Sequence, residues 1–187
     1  MKKKPTRILT LMLCFMAGLM FLGFTAKADA AEYKQSGIYS KTKIGKYYIW
    51  TDSSDNTLRI SKKKTGNGSV LATAASGHQM LIAMSDGSTV YYSEYKEEQE
   101  KVGDTTNYKY TSYFYRIKIN KKGKTYLGSV SDAAMRLVGV YGNNLYTDTG
   151  KEYSGVYRFN LSTKKSKKII NNAVGAHCNG KYLITYV

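Results

Sequence analysis

The stretch that decides the fold is IGKYYIWTD, residues 44–52, and it returns as NGKYLITYV at residues 179–187. Both place Gly-Lys-Tyr ahead of an alternating apolar run. Glycine turns the chain, and β-branched or aromatic side chains suit a pleated, half-buried surface, so the pattern predicts a turn followed by a strand. Outward from residues 44–52 the chain continues with NTLRIS (56–61) and GSVLAT (68–73). The same order of runs comes back as STVYYSE, YFYRIKI and KTYLGSV (88–94, 113–119, 124–130). It comes back again as NNLYTD, GVYRFNL and SKKII (143–148, 155–161, 166–170). Short apolar runs, HQMLIAM at 78–84 and MRLVGV at 135–140, lead into the second and third units. NAVGAHC, from residue 172, leads into the final NGKYLITYV.

Each unit is therefore read as four short strands in a row. The units cover about residues 37–73, 77–130, 133–170 and 173–187, the last holding only two strands. From the acid that closes the second strand, Asp52 to Glu94 is 42 residues and Glu94 to Asp148 is 54. Self-similarity near 40–45 residues with four strands per unit is the signature of a β-propeller blade. The expected fold is all-β, with antiparallel four-stranded meander blades of an incomplete or truncated β-propeller, about three and a half blades. SGIYSKT, residues 36–42, is placed to lend a strand to the first blade. A half-blade leaves an exposed edge, which invites pairing with a second chain.

Tyr48-Ile49-Trp50-Thr51-Asp52, followed by Leu58-Arg59-Ile60, resembles the YWTD type of propeller repeat. Leu145-Tyr146-Thr147-Asp148 and Tyr157-Arg158-Phe159 echo it, and the second unit departs from it with Tyr91-Tyr92-Ser93-Glu94. The whole also resembles secreted propeller-like proteins of Gram-positive bacteria with no assigned function. That resemblance implies a fold and leaves activity open, since propellers carry many functions.

Arginine is rare after residue 30: four, against 20 lysines. Arg59, Arg116 and Arg158 take the same place in the third strand of their units, and Asp52, Glu94 and Asp148 close the strand before it. Arginine offers a planar fork that a carboxylate meets with two hydrogen bonds, and lysine does not. Three repeated ion pairs are expected: Asp52 with Arg59, Glu94 with Arg116 and Asp148 with Arg158. Arg136 opens an inner strand without a counterpart and is expected to stand outside this set.

MKKKPTR is a basic leader, and Ile8 to Phe24 is an apolar run of 17 residues. Ala26-Lys27-Ala28 and Ala28-Asp29-Ala30 follow as small-x-small sites. This is the grammar of a secretory signal peptide over residues 1–30, removed before a repeat domain over 31–187. The expected location is extracellular or bound to the cell wall, with no membrane span after cleavage. The chain carries 29 cationic and 13 acidic side chains, a net +16; removing residues 1–30 takes five of the former and one of the latter and leaves +12. Such a charge favours polyanions. For an exported chain these are wall polymer or glycan rather than nucleic acid, with an extracellular protein as the other expected partner.

Little else carries chemistry. After residue 30 only Cys178 remains, so no intramolecular disulfide forms, and Cys178 reads as a buried structural thiol. His78 and His177 lie apart from any metal-binding spacing. There is no Gly-x-Ser-x-Gly elbow, phosphate loop or calcium loop. DSSDN at 52–56 reads as an Asx turn. No catalytic residue, cofactor or metal ligand is assigned. Residues 94–113, EYKEEQEKVGDTTNYKYTSY, break the repeat and bring five acids onto a basic chain. They form either a binding loop or a long solvated hairpin. Aromatic side chains provide flat amphipathic contact area, and the candidate contact residues are Trp50, Tyr92, Tyr95, Tyr108, Tyr110, Tyr113 and Tyr146. The expected function is non-enzymatic binding. The alternatives are a propeller-based hydrolase or lyase and an architectural piece of a larger extracellular protein.

Overall fold

The computed structural model describes residues 33–187, apart from 39, 122, 132, 150–154, 174, 180–181 and 187. The leader, residues 1–30, lies outside the described residues. Two short strands come first, β1 (Lys34–Gln35) and β2 (Gly37–Ile38). The first meander is β3 (Thr42–Ile44), β4 (Tyr47–Asp52), β5 (Thr57–Ser61) and β6 (Ser69–Thr73). The second is β7 (His78–Met80) and β8 (Met84–Ser85), which share one edge of β9 (Thr89–Val102), then β10 (Thr105–Lys118) and β11 (Thr125–Ser131). The third is β12 (Arg136–Tyr141), β13 (Asn144–Asp148), β14 (Val156–Asn160) and β15 (Ser166–Ile170). A hairpin, β16 (Gly175–Asn179) and β17 (Tyr182–Tyr186), follows.

The all-β, antiparallel, four-stranded expectation thus holds. β2 and β3 both lie along β4, the former parallel and the latter antiparallel, so residues 36–42 do supply the first sheet. β1 adds to β8 instead. Between β7 and β8, Ser36 fills the break: its N–H donates to Ala83 O (2.8 Å) and its hydroxyl accepts from Ala83 N (3.0 Å).

Successive sheets pack face to face, and strand alternation decides which residues meet. Ile49 and Leu58 of the first sheet meet Val90, Tyr92 and Ile117 of the second. Tyr91, Phe114 and Leu127, on the second sheet's other face, meet Leu137, Leu145 and Phe159 of the third. Val138 and Val156, with Tyr146 alongside, meet Ala173, Ala176 and Leu183 at the hairpin. The Phe114 and Phe159 rings sit 5.0 Å apart. Gly128 makes room for them: at φ +144°, a Cβ there would stand 2.6 Å from Phe159 Cζ. A bulge recurs between third and fourth strands in all three sheets, at Leu58/Arg59, Phe114/Tyr115 and Val156/Tyr157. β12 touches β8 on one side and β16 on the other, so first strands of neighbouring sheets run close together. Among the described residues no strand pairing joins β17 back to the first sheet.

Candidate functional site

Of the three expected ion pairs, Asp52 with Arg59 is present, and the other two do not form among the described residues. In the first sheet Arg59 Nε lies 3.7 Å from Asp52 Oδ2, and its Nη2 also binds Asp55. Thr57 Oγ1 and Asn67 O accept from the same guanidinium at 3.0 and 3.3 Å. Asp52 also makes the expected Asx turn, accepting from Ser54 N at 3.2 Å.

In the second sheet Glu94 pairs across the ladder with Tyr113, and Arg116 with Tyr91. An odd offset of three residues puts Glu94 and Arg116 on opposite faces, and the β9–β10 ladder has no bulge to bring them together. Glu94 is instead fully buried against the first sheet. It accepts from Lys124 Nζ (2.9 Å) and from Ala75 N (3.1 Å), and its other contact is His78 Nδ1 (3.1 Å). Tyr113 stacks on His78, 4.7 Å between centroids, and Lys124 lies 4.4 Å over the Tyr115 ring. Burial, with the Glu94 charge next, pushes the Tyr115 hydroxyl up to about 12 and that of Tyr92 higher still. The Tyr92 hydroxyl and Thr51 Oγ1, both buried, have no hydrogen-bond partner among the described residues.

In the third sheet Asp148 and Arg158 do share a face, yet Arg136 stands directly opposite Asp148 on β12. Arg136 takes the carboxylate with two contacts, 2.5 and 3.2 Å, and this bond holds its guanidinium above the usual arginine range. Arg158 makes no ion pair among the described residues. The arginine expected to stand outside the set therefore forms the best-shaped pair.

The candidate contact tyrosines divide. Trp50 and Tyr92 are buried, 4% and 0% exposed, Tyr92 within the core between the first and second sheets. Trp50 lies under Lys41, 4.6 Å above its ring, and against Gly68. Tyr146 packs on the hairpin core and Tyr113 on His78. Tyr95, Tyr108 and Tyr110 belong to the inserted segment, which is a hairpin of two 14-residue strands. Their register puts all three on one face, with Tyr108 half exposed. On the other face Lys96–Glu98 and Lys109–Glu100 pair at 2.5 Å each. His177 is exposed beside Tyr186, and Cys178 is half-buried, its thiol pushed up by burial.

A feature missed by the pairing argument is the charge of the third-to-fourth turns. The turn from β5 to β6 carries Lys62, Lys63 and Lys64; that from β10 to β11 carries Lys121 and Lys124; that from β14 into β15 carries Lys164, Lys165, Lys167 and Lys168. All are exposed. Local chemistry shapes these turns: Ser61 Oγ accepts from Lys63 N (3.0 Å), and Asn160 Oδ1 accepts from Ser162 N and Thr163 N (3.0 and 2.9 Å). In a meander the third-to-fourth turn leaves its sheet at the same end as the first-to-second turn. For the first two sheets that end is shared, because Gly45 and Gly87 of their first turns approach each other. The recurrence of SKKK, NKKGK and TKKSKK was available in the sequence as a signal.

Two hollows flank the arginines. One of about 280 Å³ is lined by Lys41, Trp50, Asp52, Asp55 and Arg59 among others; another of about 210 Å³ is lined by Arg116, Lys118, Lys121, Gly123 and Thr125. Among the described residues no three His, Cys, Asp or Glu side chains cluster to hold a metal ion. No helix there is long and apolar enough to cross a membrane. Comparison with protein families, curated proteins and solved structures finds no match.

Proposed function

We propose that this chain is a secreted, non-enzymatic module that binds an anionic surface polymer, built as about three and a half blades of an incomplete β-propeller. The blade reading is supported by the meander order, the serial face-to-face cores and the approach of β8, β12 and β16. The observation that carries the binding reading is the lysine-rich turn repeated at the same end of each four-stranded sheet. Repeated cations at one end attract a chain of repeated anions more strongly than the same charge spread evenly. An enzymatic reading finds little support at Glu94, whose two oxygens are already engaged by Lys124, His78 and Ala75.

The test is retention on a column of an anionic polymer. The protein should bind at low salt and elute as salt rises, because exposed charges are screened over about 8 Å at physiological ionic strength. Lys62, Lys63 and Lys64 changed together to Gln should elute at clearly lower salt. Passage without retention at low salt overturns the reading.

A further inference from the structure

Arg116 is a half-buried arginine that no acid serves among the described residues. Arg59 is held by Asp52 and Asp55, and Arg136 by Asp148. The Arg116 side chain makes no ion pair or hydrogen bond among the described residues. Its register partners are Tyr91 on one side and Thr125 on the other. Lys118 lies two residues on and so shares its face. The turn brings Lys121 and Gly123 to the same hollow of about 210 Å³. Among the described residues, three cations and Thr125 line it and no acid does. The hollow at Arg59 is its opposite: there Lys41 and Arg59 face Asp52 and Asp55.

A guanidinium has five N–H donors in a fixed fork and no acceptor. Leaving it partly desolvated without an anion is costly, and a ligand that brings two oxygens to the fork removes that cost. We propose that the Arg116 hollow binds a tetrahedral oxyanion, a phosphate or sulfate group borne by the polymer. Arg116 receives two oxygens in fork geometry, Lys118 and Lys121 supply charge, and the Thr125 hydroxyl donates to a third oxygen. The hollow, about 210 Å³, has room for one such group. The inference rests on the polymer-binding reading for its natural ligand, though not for the ion itself.

The experiment is an NMR titration of the full chain with inorganic phosphate, then sulfate, at constant ionic strength set with chloride. Arg116 Nε–H and the Thr125 amide should shift with saturation, while Lys62–Lys64 move little. Arg116→Gln should weaken the apparent affinity about tenfold or more, as expected when a charge-assisted bidentate contact is lost. Lys121→Gln, in an exposed turn, should weaken it by a smaller factor. Shifts that rise linearly, or equally at Lys62–Lys64, overturn the site. If saturation fails while the polymer column still retains the protein, the site falls and the polymer reading stands; saturation with no retention gives the reverse. On poly(glycerol phosphate) and heparin columns, a larger Arg116→Gln loss on the first assigns phosphate and on the second sulfate. No loss on either column overturns the proposal.

Discussion

In the first sheet Asp52 sits at an open face, its side chain 27% exposed and 3.7 Å from Arg59. In the second sheet Glu94 follows its face-sharing aromatic, Tyr92, at the same interval as Asp52 follows Trp50, and it is 0% exposed. The two acids close similar strand patterns and live in different dielectrics. The cause is position in the series. The Tyr92 face of the second sheet is covered by Ile49 and Leu58 of the first. Trp50 and Asp52 are on the opposite face from Ile49, where among the described residues no further sheet lies. Burial of a charge here follows from what packs on the strand rather than from the strand's own motif.

That contrast is broken most directly at Glu94. A charge taken fully out of water is held only by its partners, and removing one partner of a buried pair costs roughly 3–5 kcal/mol. Lys124 is a third exposed and relaxes toward solvent, so Glu94→Ala should cost about 3 kcal/mol, at the low end of that range. It should also loosen the connection from β6 to β7, which Glu94 holds through Ala75 N. The matching Asp52→Ala change should cost less than about 1 kcal/mol, as exposed pairs do. Urea denaturation of both single variants at one pH reads the difference. Equal losses would mean that the covering sheet does not set the energetics.

The legible part of this molecule was its strand order. Glycine before alternating apolar residues located β4, β9, β13 and β17, and the short runs before them located β7, β8, β12 and β16. These signals are local, with a period of two that survives in any register. The ion pairs were not legible because they depend on register across strands, where a slip of one residue turns a side chain to the other face. Arg116 aligned with Arg59 by its neighbours Arg-Ile, yet it lies one step out of phase with Glu94. Lys124, the cation Glu94 does use, comes 30 residues later, in the turn that precedes β11. Arg136 reaches Asp148 from the first strand, on the side of the second strand away from the third.

Conservative replacement of each arginine by lysine sharpens the comparison, since charge is kept and only the fork is lost. Arg136→Lys should cost most, about 1–2 kcal/mol, because Asp148 is buried and receives two contacts that lysine cannot reproduce together. Arg59→Lys should follow at about 0.5–1 kcal/mol, since its acids are partly exposed and each contact is worth little alone. Arg158, exposed and without an ion pair, should tolerate the change.

Arg116→Lys is the smallest expected effect on stability and the most informative. Arg116 is half-buried like Arg59, so a rule based on burial alone would assign it a comparable loss. It has no acid to lose, and its neighbours in the hollow are Lys118 and Lys121. Lysine keeps the charge and there is no fork contact to lose, so the unfolding free energy should stay within about 0.5 kcal/mol of the parent. With phosphate present the order should invert. The parent should gain stability as a bound ion raises the folded state's weight by mass action, and Arg116→Lys should gain less because a point charge cannot offer the fork. Denaturation curves of the parent and the variant, each with and without phosphate at matched ionic strength, decide it. A marked loss without phosphate would show that Arg116 holds the fold, as Arg59 and Arg136 do. The difference between a paired and an unpaired arginine would then carry no functional meaning.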